Sequence, residues 1–336
     1  MTDVLLTKRT QTSGTRQGFY FFTALLLTAF IFLLFSCAST RRAPYTYSEE
    51  SKTSFIPEHF DWKPIYDGAD YFCYENKAFP VRYHCVRIDL TTPGLTLHVF
   101  PDSDSDYRQK DGERTRFFKG KRTGKFADET GADIAINTSL FAGKSGKWDT
   151  IAHVTSTRQI VGIHIVRGTR FSEPNERYAA LLLNNADGRW YASILDTQAA
   201  PELATAEYAL CGFWTILRDG EKVGSFLHIH DSRTACGISK DGNTLYLLIV
   251  EGEFLSMSDG LSYPECADVF LAMGADDAMQ FDGGGSSSLF IGGKNMLSYP
   301  NARINAVSIG FSFNANMQDE PVIVQDESVI VKSEPK

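Results

Sequence analysis

Asp282-Gly283-Gly284-Gly285-Ser286-Ser287-Ser288 puts a carboxylate, a bare stretch of backbone and three hydroxyls within seven residues. Glycine loses more conformational freedom on folding than any other residue, so three in a row persist where side chains would obstruct something. The N–H groups of such a loop can approach an anion closely, as backbone nests and helix N-termini do. The stretch reads as a cradle for a sugar or a phosphate. A glycine-rich hairpin turn is the plainer alternative.

The neighbouring elements decide whether such a loop can be held in place. Asp277 to Phe281 alternates like a half-buried strand, and Ser287 to Ile291 reads as a second strand. Upstream, Ser262 and Glu265 have capping-box spacing, Pro264 suits a first helical turn and Gly274 suits the position just past the last turn. Cys266, Val269, Phe270 and Met273 fall on one face, so Ser262 to Met273 is expected to be a helix. Thr123 to Gly131 is a second helix candidate. Helix, strand and glycine loop in that order put the loop at the carboxyl end of a strand, where ligands bind in open α/β sheets.

Strand signals dominate elsewhere. Val81 to Leu90 and Leu95 to Phe100 flank a turn at Thr92-Pro93-Gly94. Asp133 to Asn137, Ile160 to Val166, Tyr178 to Leu183, Leu210 to Leu217 and Ile304 to Phe313 are apolar or alternating. Asp219-Gly220 marks a hairpin, and so does Lys240-Asp241-Gly242-Asn243 between Arg233 to Ser239 and Thr244 to Val250. The expected fold is α+β: a single domain with a large, mostly antiparallel or mixed twisted β-sheet and a few packed helices.

Lys8, Arg9 and Arg16 precede an apolar run from Phe19 to Phe35 that ends in Ser36-Cys37. This looks like a lipoprotein signal cleaved before Cys37, whose thiol would carry the lipid. An uncleaved N-terminal anchor is the alternative. Either reading places the protein in the cell envelope, extracytoplasmic and held at a membrane. Residues 1–37 are then signal or anchor, 38–55 a polar tether and 56–317 the folded domain. Residues 318–336 are an acidic tail in which Val322-Ile323-Val324 is echoed by Val329-Ile330-Val331.

The formal charge is −8, and −10 without residues 1–37, which argues against nucleic acid as a partner. Arg114 to Lys125 is locally basic and reads as a solvated loop. Five cysteines follow Cys37, so at least one stays free. Cys73 and Cys85 are near enough in sequence for a disulfide across neighbouring strands.

Several spaced segments together resemble the phosphodiester glycosidase family. They are Gly260-Leu261-Ser262, Glu265-Cys266-Ala267, Met273-Gly274-Ala275, Ala278-Met279 and Asp282 to Ser288. Ala135-Ile136-Asn137 with Phe141 is similar to the family's Asn-Gly-Gly-Phe-Phe segment. Ser232-Arg233-Thr234-Ala235-Cys236-Gly237 is similar to its Arg-Thr-Ala-x-Gly segment, followed by a strand and Glu251-Gly252. The resemblance spans roughly Val81 to Phe313. Two departures bear on the pocket. Thr138 and Ser139 stand where the family has glycines, and Arg303 stands two residues before Asn305-Ala306 in place of the family's Glu-Arg.

The resemblance implies hydrolysis of a sugar-1-phosphodiester, N-acetylglucosamine-type, to free sugar and a phosphomonoester. The partner is then a glycan or sugar-phosphate substrate. Such chemistry needs a group to stabilise phosphate charge and a carboxylate to activate water, attack, or protonate the leaving oxygen. Arg233 is the candidate for the phosphate, because a guanidinium offers a planar fork of donors; an ion pair with Asp231 or Asp282 is its alternative. Asp282 is the leading catalytic carboxylate. Glu265 is a second, although its capping-box position explains it structurally. Asn137 would suit a sugar hydroxyl or N-acetyl group, and Gly283, Gly284, Gly285, Ser286 and Ser287 complete the substrate cradle. No cofactor is expected. His228 and His230 share a face if on a strand, and with Asp231 they offer the one divalent-metal option. A carbohydrate-binding envelope lipoprotein without turnover is the alternative function.

Overall fold

The computed structural model describes residues 54–102, 107–110, 113–142, 157–224, 228–252, 257–299 and 307–313. The expected signal or anchor with Cys37, nearly all of the tether, the acidic tail and Arg303 lie outside these residues. No helix among the described residues is long and apolar enough to cross a membrane. The packed structure already includes Phe55, which is fully buried and whose carbonyl accepts the Tyr83 hydroxyl at 2.8 Å. The tether therefore ends earlier than residue 55.

The described domain is built mostly of antiparallel β-sheet with two α-helices. The largest sheet has eight strands in the order Lys63–Tyr66, Ala69–Asn76, Val81–Asp89, Thr244–Val250, Arg233–Ile238, Asp277–Gln280, Thr215–Arg218 and Glu221–Lys222. Every paired strand among the described residues runs antiparallel, so the mixed option does not arise. A five-stranded sheet follows the order Lys294–Asn295, Leu289–Ile291, Ile134–Asn137, Ser308–Ser312 and Thr96–Val99. A second five-stranded sheet and a four-stranded one complete the described strands.

Alternation along the strands makes layers of these elements. Cys85, Leu248, Val250, Ala235 and Ala278 share one face of the eight-stranded sheet and pack on the helix Tyr263–Met273. Val86, Ile88, Leu247, Ile249, Cys236 and Met279 share the other face, and their core includes Ile134, Ile136, Ile309 and Phe311 of the first five-stranded sheet. The helix Thr123–Thr130 lies on that sheet's far side. A Cβ at Gly310 would meet Ala132 and Phe126 there, and one at Gly124 would meet the Phe290 ring. The order is helix, sheet, sheet, helix.

Local signals explain most boundaries. Helix Tyr263–Met273 starts at Ser262, whose backbone N–H donates to Glu265 Oε2 at 2.7 Å, and ends at Gly274 in the left-handed region. The Asp219-Gly220 hairpin has positive φ at both residues, as a two-residue turn of this kind requires. The Thr92-Pro93-Gly94 turn forms, but the strands it joins belong to different sheets, so it is a crossover between layers. Cys73 and Cys85 stay unpaired. Cys73 lies opposite His84 and Phe72 opposite Cys85, which sends the two thiols to opposite faces of the sheet.

The helix is seated by one ring. Phe270 is fully buried, and a Cβ at Gly237 would lie 2.6 Å from it. Phe270→Ala is expected to destabilise the domain by about 3–5 kcal/mol, read from the urea midpoint of unfolding. A shift under about 1 kcal/mol would mean that the helix is not held by this contact.

Candidate functional site

The carboxyl ends of Thr244–Val250 and Asp277–Gln280 and the start of Arg233–Ile238 lie at one end of the large sheet. Three glycines let the loops at this end converge on the backbone of Asp231 to Arg233. A Cβ at Gly252 would fall 2.4 Å from Ser232 N, one at Gly260 2.2 Å from the Asp231 carbonyl oxygen, and one at Gly283 2.9 Å from the Ser232 carbonyl oxygen. Gly284 adds a left-handed φ of 58°. The convergence puts Asp282, Arg233, Gly283, Gly284 and Gly285 in one neighbourhood.

Arg233 is nearly buried, with 9 % of its surface exposed. Its Nε donates to the Leu261 carbonyl at 2.9 Å and its Nη2 to the Ile229 carbonyl at 2.5 Å. Its guanidinium carbon stands 4.8 Å from the Tyr263 ring centroid. Of its five N–H donors, three have no protein partner among the described residues, and no carboxylate there forms an ion pair with it. The alternative of an ion pair with Asp231 or Asp282 is therefore not found. Tyr263 is pushed up by burial first; Arg233 opposes this, while Asp282 and Asp231 add to it. The four groups share one electrostatic environment.

Asp282 is half-buried at the end of its strand. Its N–H donates to the Thr138 carbonyl at 2.9 Å, and its carbonyl accepts Asn137 Nδ2 at 2.6 Å. The glycines then close a short 3-10 turn, Gly284–Ser286. Gly284 N–H donates to Ser232 O, and Ser286 N–H to Gly283 O. The N–H groups of Gly283 and Gly285 have no partner among the described residues, so part of the expected cradle remains able to donate. Ser286 and Ser287 are 3 % and 1 % exposed, buried in the loop rather than presented to solvent.

Asn137 is engaged inside the protein. Its Oδ1 accepts the Thr234 hydroxyl at 2.9 Å, Ser288 N–H at 3.0 Å and the Ser288 hydroxyl at 3.3 Å. With its Nδ2 on Asp282, it ties the second sheet to the first and to the loop. The adjacent Thr138 and Ser139 are buried, and their hydroxyls have no hydrogen-bond partner among the described residues.

Glu265 has no exposed surface. Its Oε2 accepts the N–H and hydroxyl of Ser262 and lies 2.8 Å from His230 Nε2, while Oε1 is buried without a hydrogen-bond partner among the described residues. Burial pushes Glu265 up, but His230 and Ser262 outweigh it and hold the carboxyl below its ordinary value. The Nε2 of His230 faces this carboxylate. Among the described residues, the group with metal-like spacing is Asp219, Asp276 and Asp277. There Asp277 is already bridged to Arg218 at 2.5 Å and accepts the Asp219 N–H. Tyr263 and the His230–Glu265 pair were missed as site residues. An aromatic directly after the N-cap was the available signal for Tyr263, and nothing local links His230 to Glu265. A separate cleft of about 980 Å³, lined by Gln159, Gly162, Arg170, Ser172, Asn175 and Arg177 among others, includes none of the predicted site residues.

A family model for phosphodiester glycosidases matches residues 130–313, more than half of the chain. The protein belongs to the phosphodiester glycosidase family. The zebrafish N-acetylglucosamine-1-phosphodiester alpha-N-acetylglucosaminidase catalytic domain, auto-inhibited by its pro-peptide, is a structural neighbour with TM-score 0.51 and 16 % identity. The match covers 80 % of this chain and 96 % of that one. A hypothetical protein from Synechocystis has TM-score 0.54 and 13 % identity, with 76 % of this chain covered. The match spans 64 % of the Synechocystis chain. A comparison with curated proteins found no match. At these identities the neighbours establish a shared fold.

Because Glu265 is held below its unfolded value, its stabilising contribution is present above about pH 4.5 and is lost as pH falls through the folded value. The stability difference between wild type and Glu265→Gln should therefore be largest near neutral pH and shrink below about pH 4.5, read from urea midpoints across pH. A difference independent of pH would contradict the His230 pairing.

Proposed function

We propose that this phosphodiester glycosidase-family protein hydrolyses a sugar-1-phosphodiester, with an N-acetylhexosamine as the sugar, at the outer side of a membrane to which its N-terminus tethers it. The observation that carries the reading is Arg233: a nearly buried guanidinium with no carboxylate partner among the described residues and three uncommitted donors. A buried cation without a counter-charge is costly, and an anionic ligand would supply that charge.

In this reading the phosphate rests on Arg233 and the N–H groups of Gly283 and Gly285. Asp282 is the carboxylate that acts at the anomeric carbon, directly or through water. The bond from that carbon to the phosphate oxygen breaks and its electron pair leaves with the phosphate. The oxygen of water becomes the new anomeric hydroxyl, and its two protons are shared between product sugar and solvent or phosphomonoester. Glu265 is a positioning residue that orients His230, because its own carboxylate is enclosed. Asn137 fixes Asp282 from behind, and the buried Thr138 and Ser139 hydroxyls lie next to it in the chain. Ser286 and Ser287 keep the turn in shape. No metal is assigned a step.

The full-length chain incubated with an α-N-acetylglucosamine phosphodiester should release free sugar. Asp282→Asn and Arg233→Lys should each lower turnover by roughly 100-fold or more, as removal of a preorganised charge or donor does. Wild-type turnover in Asp282→Asn would remove Asp282 from the mechanism. Thermal stabilisation of the wild type by the phosphodiester without sugar release would identify a binding protein instead.

A further inference from the structure

A second cluster of titratable side chains lies on the inward face of the large sheet, where the glycosidase reading has no use for it. His84 is fully buried, and both of its ring nitrogens are engaged: Nε2 lies 2.9 Å from Glu251 Oε1 and Nδ1 2.8 Å from the Tyr71 hydroxyl. Glu251 is 2 % exposed. Its Oε1 also accepts the N–H and hydroxyl of Ser298 at 3.1 Å and lies 3.4 Å from Arg82 Nε. Cys73 is directly opposite His84 in the ladder and two residues along the strand from Tyr71, so thiol, imidazole and phenol emerge on one face.

We propose that Glu251, His84 and Tyr71 form a hydrogen-bonded relay that makes Cys73 the oxidant-reactive thiol among the described cysteines, with small hydroperoxides as its co-reactant. Cys73 is half-buried, whereas Cys85, Cys211, Cys236 and Cys266 have no exposed surface. Among the described cysteines it alone combines access with activating neighbours. Burial pushes the Cys73 thiol up, but His84 first, then Arg82 and Tyr71, outweigh it and hold it below the ordinary thiol value. Burial likewise opposes a charged His84, yet Cys73 and Glu251 raise it to about 9. Burial raises Cys211 and Cys266 to about 12. The charged and titratable groups on this face around the thiol are His84, Glu251, Arg82, Tyr71 and Glu75, the last paired with Arg82 at 3.1 Å.

The chemistry balances with the peroxide as oxidant. The Cys73 thiolate attacks the distal peroxide oxygen, the S–O bond forms and the O–O bond breaks. Sulfur is oxidised to a sulfenic acid, the peroxide is reduced, and the alkoxide or hydroxide leaving group takes a proton from solvent.

Peptide-resolved alkylation of the native full-length chain by iodoacetamide across pH tests the proposal. Cys73 should label with a midpoint below the roughly 8.5 of an ordinary thiol, and the four buried cysteines should label only after unfolding. Brief hydrogen peroxide treatment followed by dimedone should place an adduct on Cys73. His84→Gln should move the midpoint to about 8.5 or above. Tyr71→Phe, which keeps the ring, should shift it in the same direction and serves if the His84 variant does not fold. A wild-type midpoint at or above the ordinary value, a midpoint unmoved in Tyr71→Phe, or no dimedone adduct at Cys73 would overturn the proposal.

Discussion

Backbone packed directly on backbone at Asp231-Ser232-Arg233 is the constraint on which the rest of this site depends. Gly252, Gly260 and Gly283 come from three separate loops, and each lies closer to that segment than any side chain would permit. Their entropic disadvantage is offset by what the closeness allows. Strand Arg233–Ile238 can begin between two neighbouring strands, and the loop after Asp277–Gln280 can fold back over its start. A carboxylate and a guanidinium that are distant in sequence then stand in one neighbourhood. Asn137 reinforces the arrangement from the second sheet through Thr234, Ser288 and Asp282.

Charge is distributed with equal economy. His230 pairs with Glu265 and His84 with Glu251, and both carboxylates are buried. Arg233 faces two backbone carbonyls and the Tyr263 ring. Carbonyl dipoles and a π-face orient a guanidinium without neutralising it. Asp282, whose backbone is fixed on both sides, stands close enough to push Tyr263 up. The guanidinium of Arg233 and the Asp282 carboxylate thus lie in one neighbourhood with no ion pair between them, and the proposed reaction would use the first for phosphate charge and the second at the anomeric carbon.

Much of this was legible in the sequence where the determining interactions are local. The capping box at Ser262 and Glu265, Gly274 at the helix end and the hairpin glycines at 220 and 242 act within a few residues, and each forms as the spacing predicts. The Gly283 to Gly285 run announced a crowded place. Sequence could not show that Gly283 makes room for the Ser232 carbonyl, because that neighbour lies in another segment. Asn137 read as a ligand contact, yet its partners are 97 to 151 residues away. The burial of Glu265 and its pairing with His230 depend on how the helix seats on the sheet. The Thr92-Pro93-Gly94 turn was correct as a turn and silent about its destination, since only the register of both sheets reveals that it changes layer.

The most direct test of the account is a crystal structure of the full-length protein with N-acetylglucosamine 1-phosphate. The account predicts phosphate oxygens within hydrogen-bond reach of Arg233 and of the Gly283 and Gly285 N–H groups, with the Asp282 carboxylate beside the anomeric carbon. Phosphate bound elsewhere, for example between Arg170 and Arg177 in the separate cleft, with Arg233 untouched, would contradict it.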